Sequence, residues 1–261
     1  MPHLRVAMRT RTSRDGTDRT DVRYQDWDLA HVAVVVCDMW EAHHCVSAMR
    51  RVVEMAPRMN DVLTGLRAEG ALIVHAPADC MAHYHDDPAR HRAVLAPHLH
   101  APARIDWCDW EPDELARLPA TLTDPGTCSC SSPEPCGDRF RAWTRQIPLI
   151  DVLQDDAVTD DGQELFNLLE QREISDVVVI GVATNACVLG RPYGIRQLVY
   201  LGKRPVLCRD LTDAFHRDPR GHHWGTEQTV AHIERRWCPS ITSDQLVGGP
   251  PFHFLDAPAP A

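Results

Sequence analysis

The chain has 261 residues and a mass of 29.3 kDa, with 44% hydrophobic and 25% charged residues, values that suit one large globular domain with a full core. A formal net charge of −10 and a pI near 5.8 argue against a general nucleic-acid surface, and no apolar run approaches the ~18–20 residues that span a bilayer. The first arginines precede no apolar segment, so no secretory leader is expected, and ten cysteines without a small-domain disulfide spacing fit a reducing cytoplasm.

Residues 1–27 are polar and aperiodic and read as an extended or mobile arm. A domain is expected over 28–248, followed by a Pro-rich tail at 249–261. The run from Val32 to Cys37 is apolar throughout, the pattern of a parallel strand buried on both faces, and it ends in a carboxylate, Asp38. After Trp40-Glu-Ala-His43-His44-Cys45, the residues Val52, Met55, Met59, Val62, Leu63 and Leu66 recur at helical spacing, with Gly70 as the stop. Pro57 is expected in a first turn or at a kink. Ala71 to Ala76 is a second strand, giving a βαβ unit, and Asp79 and Tyr84 just beyond it are candidate pocket-wall residues.

From 86 to 148 the chain is Pro-rich and irregular, with Trp107, Trp110 and Trp143 scattered through it. A connection this long is usually functional; it reads as a lid or subunit-contact insertion with one further strand. Within it lies Cys128-Ser-Cys130-Ser-Ser-Pro-Glu-Pro-Cys136. These are three thiols where a structural zinc wants four; a fourth would have to come from Cys108 or a loop histidine, and reduced loop thiols without metal are the expectation. Thr159 to Gln163 opens a helix whose buried face is Leu165, Leu168 and Leu169.

The second chemical segment runs from Asp176 to Val188. Val177 to Ile180 is another β-branched run, Gly181 ends it, and a short turn delivers Cys187 to the start of a helix expected to reach Tyr200. Helix N–H groups there would favour a thiolate. A strand at 206–210, a helix opening at His222 and an edge strand near Ile241 complete the rhythm. In open α/β sheets chemistry sits outside the carboxyl ends of the strands, where the strand order reverses. Asp38 and Cys187 would meet there as base and nucleophile.

These two segments resemble the isochorismatase-like cysteine hydrolase superfamily, which includes nicotinamidases and N-carbamoylsarcosine amidases. The resemblance rests on Asp38-Met39 after an apolar strand and on the Gly-x-x-Thr-x-x-Cys-Val turn from Gly181 to Val188. It implies one domain of three α/β/α layers with a mainly parallel, doubly wound sheet in the order 3-2-1-4-5-6. It also implies a cis peptide at Val182-Ala183, an oxyanion hole from the N–H groups of Ala183 and Cys187, and a homo-oligomer. The family's catalytic lysine falls on Gln154 here, and the chain's single lysine is Lys203, after the Cys helix. The metal-binding histidines of nicotinamidases have no counterpart in His75-Ala-Pro-Ala-Asp79-Cys80, so neither a metal nor an organic cofactor is expected.

The function expected is cleavage of a C–N bond in a small amide, ureido or carbamoyl compound by Cys187, with Asp38 moving the proton. Substrate contacts are expected from Trp40, His43, His44, Asp79, Tyr84, Arg145, Gln154 and Asn185, with Arg145 the candidate cation in place of the lysine and a Cys187 pKa below that of a free thiol. Two alternatives stand: a non-hydrolytic binding or scaffold protein that lost turnover with the lysine, and metal-assisted hydrolysis by Asp38, His43, His44 or Cys45.

Overall fold

A computed structural model describes residues 3–14, 17–124, 128–130, 136 and 141–256. Its frame is an eight-stranded sheet. The strands are β1 (His3–Arg14), β2 (Thr17–Asp28), β3 (Val32–Cys37), β4 (Leu72–Ala76), β5 (Ala157–Val158), β6 (Asp176–Val182), β7 (Arg204–Asp213) and β8 (Ser240–Ile241). They run in the order β2-β1-β8-β7-β6-β3-β4-β5, and every pairing from β3 to β8 is parallel. Counted from β3, that is the expected 3-2-1-4-5-6 order.

Period-two alternation divides the strand side chains between two cores. Val32, Val34 and Val36 face one layer together with Met55, Met59 and Leu63 of α1 (Val46–Ala68). Ala33, Val35 and Cys37 face the other. That second layer holds Ala93 of α2 (Pro88–Val94) and Leu165 and Leu169 of α5 (Gly162–Gln171). Two short helices, α3 (Pro112–Leu115) and α4 (Ala120–Thr123), lie between α2 and α5 in the chain. After β6 come α6 (Cys187–Gly190) and α7 (Ile195–Tyr200), then α8 (His222–Arg236) and, back on the first face, α9 (Asp244–Val247). No described helix is long and apolar enough to cross a membrane.

Several expectations are corrected. Most of the 1–27 arm is a hairpin, because Leu4, Val6 and Met8 alternate onto the α1 core and Trp27 joins them there, while most of β2 faces solvent. Its β1 pairs with β8, so the strand at Ile241 is interior rather than an edge. Pro57 sits inside α1, well beyond its first turn. Among the described residues of 86–148 no ladder strand forms, only an isolated bridge between Trp40 and Gln146; the third parallel strand is β5, further on. In the tail, Phe252 and Phe254 pack on the core, while residues 257–261 lie outside the described residues.

The helix expected from Cys187 to Tyr200 is broken in two. Pro192 disfavours the helical conformation for the residue before it, and Arg191 accordingly turns to ψ 155° and ends α6. Gly194 allows the chain to fold back: a Cβ there would lie 2.8 Å from the Val188 carbonyl oxygen.

Candidate active site

β3 and β6 are neighbours, with Cys37 level with Gly181. β3 is the strand from which the order runs both ways, so the groove beyond its end is the switch point of the sheet. The two strands are close enough there that a Cβ on Gly181, whose φ is 113°, would fall 2.0 Å from the Cys37 carbonyl oxygen; only glycine fits. The Val182-Ala183 peptide is cis. The turn that follows is pinned at both ends. The Thr184 N–H donates to the Asp213 carbonyl at 3.0 Å, and the Asn185 side chain donates to the carbonyls of Leu122 and Phe215 at 2.9 and 2.8 Å. Cys187 is thereby delivered against Asp38.

Asp38 is fully buried and surrounded by donors. Its Oδ1 accepts the Ala78 N–H at 2.9 Å and the Tyr193 hydroxyl at 3.0 Å; its Oδ2 accepts Arg191 Nε at 3.0 Å. The Cys187 thiol completes the set, and the Ala183 N–H points at the sulfur. Burial raises the carboxyl pKa, and the Arg191 charge with the hydrogen bonds from Cys187, Ala78 and Tyr193 opposes that rise. Every contact to Asp38 is a donor, which suits a carboxylate.

The thiol itself departs from expectation. Burial first, and then the Asp38 charge, push the Cys187 pKa up to about 12, with Arg191 opposing. A four-residue helix has little dipole to offer against a buried anion in contact. Burial and the adjoining carboxylate thus disfavour a preformed thiolate and favour a thiol hydrogen-bonded to Asp38.

Beside this pair lies a cavity of about 470 Å³. Its walls are mainly apolar: Trp40, Trp107, Trp143, Phe215, Met49 and Val52, with His43, His44, Arg141 and Asp213 as polar contributors. The Trp40 and Trp143 rings stack at 4.1 Å, His43 stacks on Trp143 at 5.7 Å, and the Trp40 Nε1–H is fixed to the Ala78 carbonyl at 3.1 Å. The Arg191 guanidinium lies 5.5 Å from the Trp107 ring centre, a cation–π contact that orients it.

Of the expected site residues, Asp38, Cys187, Ala183, Trp40, His43 and His44 line this cavity. The others do not. Asp79 is exposed, and its N–H is bound to Asp160. Tyr84 is buried beneath Trp40 and accepts the Gln146 N–H. Arg145 is 47% exposed and pairs with Glu41 at 3.2 Å, so it is not the cation. Gln154 lies on an exposed loop, where its carbonyl serves Arg92. Asn185 spends its amide on the backbone contacts that shape the turn. Lys203, at the opposite end of the sheet, binds the Ile174 carbonyl and Glu170. The alternative metal set is not assembled either, since Cys45 turns to Cys128 and Cys130 instead of Asp38.

The missing cation comes from after the cysteine. Arg191 and Tyr193, which flank Pro192, both reach Asp38, and neither stood out in the sequence. The usable signal is Pro192 itself, because a proline so soon after the nucleophile must end the helix and swing its neighbours back over the strand ends.

No protein-family model and no curated protein sequence matches the chain. Solved structures do. A cysteine hydrolase of Pseudomonas syringae pv. phaseolicola matches at 14% identity with a TM-score of 0.51, over 85% of this chain and 93% of that one. An isochorismatase of Pseudomonas putida matches at 14% identity with a TM-score of 0.50, over 85% and 92%. At such identity the likeness concerns architecture alone, and with the sheet order it identifies the fold: this chain has the isochorismatase-like α/β fold.

Proposed function

We propose that the protein is a cysteine-nucleophile hydrolase that cleaves a C–N bond in a small amide, ureido or carbamoyl compound. The observation that carries this reading is the buried Asp38 carboxylate hydrogen-bonded to the Cys187 thiol, with Arg191 behind it. Attack forms the Sγ–C bond as the thiol proton passes to Asp38. The N–H groups of Ala183 and Cys187 take the carbonyl oxygen as it becomes an oxyanion. Collapse breaks the C–N bond, and Asp38 gives its proton to the leaving nitrogen. Water then attacks the thioester, its proton goes to Asp38 and on to the departing sulfur, and the thiol is restored.

Arg191 holds Asp38 in place by charge and cannot donate a proton usefully near neutrality, so all proton transfer falls to Asp38. The non-hydrolytic alternative rested on a lost cation, and Arg191 supplies one. Three indoles around the cavity favour a substrate with a flat apolar body beside its carbonyl.

The test is ammonia or amine release from a panel of aryl and alkyl amides and ureido acids. Cys187→Ala should lose several orders of magnitude in turnover, and wild type trapped with a slow substrate should gain the acyl mass on Cys187. A Cys187→Ala variant that still turns over sinks the covalent route.

A further inference from the structure

The structure assigns Cys45, Cys128, Cys130 and Cys136 to a tetrathiolate site for a single zinc ion that fastens the insertion to the wall of the cavity. Cys45, at the N-cap of α1, supplies the fourth thiol that the loop lacks. Its sulfur lies 3.7 Å from those of both Cys128 and Cys130, Cys130 is 3.1 Å from Cys136, and all four sulfurs lie within 4.8 Å of one another. Four thiolates at the usual Zn–S distance of about 2.3 Å stand about 3.8 Å apart in a tetrahedron. Such a set holds one ion and leaves no coordination position open, which marks a structural site. An all-thiolate tetrahedron selects zinc among the common divalent metals.

The surroundings point the same way. Each of the two best-buried edges of the cluster receives backbone donors aimed at sulfur: the Ser129 N–H to Cys45 Sγ and the Cys130 N–H to Cys128 Sγ, both at 3.3 Å. Ser47 Oγ donates to Cys130 Sγ at 3.0 Å, and Ser129 Oγ lies 3.2 Å from Cys45 Sγ. Neutral thiols packed as small apolar groups need no such shell, whereas metal-bound thiolates are held and tuned by one. Four thiolates and one Zn²⁺ leave a net charge of −2. Arg51 stands behind the cluster, its Nη2 on Ser129 Oγ at 3.0 Å and its Nε on Asp213 at 2.5 Å. Binding releases the four thiol protons to solvent.

The site joins distant parts of the chain at the cavity. Cys45 follows His43 and His44 directly, and its N–H donates to His43 Nδ1 at 3.0 Å. Phe215 packs on the cluster from the other side.

The test is elemental analysis of the full-length protein purified under reducing conditions without chelator. One zinc per chain is expected. Cys45→Ser and Cys128→Ser should fall below a tenth of that, and Cys108→Ser and Cys187→Ser should keep it. Should the first pair not fold, wild type refolded with Co²⁺ should show intense thiolate-to-cobalt charge-transfer bands with tetrahedral d–d absorption. Metal-free protein, zinc retained by Cys45→Ser, or a Cys130–Cys136 disulfide in a non-reduced digest of the freshly purified protein would each overturn the assignment.

Discussion

The two sides of the cavity are held by different physics. On the sheet side, Asp38 and the Ala183–Cys187 turn hang from β3 and β6, whose side chains from Val32 to Cys37 and from Val177 to Ile180 are all buried. On the other side, the insertion from residue 86 to the start of β5 gives the two main cores only scattered side chains, such as Ala93, Ala96, Ile147 and Ile150, and adds polar anchors to them. Its last stretch runs along Met39 to Glu41, with Ile147 N–H on the Met39 carbonyl and Glu41 N–H on the Arg145 carbonyl. Further back, Glu114 binds Arg196, His232 and Trp237 as well as the Glu111 N–H, and the thiols gather on Cys45. Asp38 and Cys187 thus sit on continuous hydrophobic packing, and the facing wall of the cavity rests more on discrete contacts. Substitutions on the first side should act on chemistry, and those on the second on stability or binding.

The largest effects should come from the pair itself. Asp38→Asn should match Cys187→Ala, a loss of several orders of magnitude in kcat, because residues acting as one unit are not additive; the double variant should be no worse than either. Arg191→Gln comes next, with about a hundredfold loss in kcat/KM, the scale expected when one partner of a largely buried pair is removed, and Arg191→Lys should recover part of it. Removing the cation also removes an influence that lowers the Asp38 pKa. A base must be ionised, so activity falls as pH drops through that pKa, and the acid limb of the Arg191→Gln profile should move to higher pH. Superimposable profiles would mean that Arg191 only fills space. In the same proteins, alkylation of Cys187 without substrate should climb through the alkaline range, in keeping with a thiol pushed up to about 12. A rate already at its plateau below the free-thiol value of ~8.5 would restore the preformed thiolate.

What was legible in the sequence follows the same division. Two-sided burial forces unbroken apolar runs, so β3, β4 and β6 could be read directly, whereas their order came from the family resemblance and the convergence of Asp38 with Cys187 followed only if β3 and β6 are neighbours. β5 is two residues long, too short for any period to show; β8, equally short, was expected near Ile241 but as an edge, because the hairpin that covers it was not. The hairpin hides because only Leu4, Val6 and Met8 of β1 carry an inward alternation among charged neighbours. Anchors made of single side chains leave no period at all. Arg191, Glu114 and Cys45 each act on residues far away in the chain; Pro192 is the one local signal for Arg191, and nothing near Glu114 or Cys45 announces the partner. Arg145 stands close to Gln154 in the sequence, yet its guanidinium turns to Glu41.

Glu114 gives the largest expected effect on stability. Its carboxylate is fully buried and accepts from Arg196 Nη2 at 2.9 Å and from His232 Nε2 and Trp237 Nε1 at 2.7 Å each, joining α3 to α7 and α8. Despite burial, those donors, His232 first, hold its pKa down to about 2. A folded-state pKa below the unfolded value means stability that is present at neutral pH and lost as pH falls from about 4.3 through about 2. The contribution is on the order of 3 kcal/mol. Urea unfolding of Glu114→Gln at pH 7 should show a loss of that size, and the gap to wild type should close toward pH 2. Turnover of the folded variant should stay within a few fold. A hundredfold loss would place the insertion's anchors inside the chemistry and erase the division between the two sides of the cavity.

The smallest effect expected is at Arg145, and it tests the division from the other direction. Its guanidinium pairs with Glu41 at 3.2 Å while 47% exposed, a setting in which an ion pair contributes about 0–1 kcal/mol and salt screens it. The feature that matters locally is the Arg145 carbonyl on the Glu41 N–H at 3.1 Å, which a substitution leaves in place. Glu41 also keeps its contacts to Thr144, whose N–H and hydroxyl donate at 2.9 and 2.8 Å. Arg145→Gln should therefore keep kcat/KM within about twofold and lose under about 1 kcal/mol, with that difference shrinking at high salt. Its Cys187 alkylation profile should overlay that of wild type. If Arg145→Gln instead shifted that profile while Arg191→Gln did not, the cation serving Asp38 would have been assigned to the wrong side of the cavity.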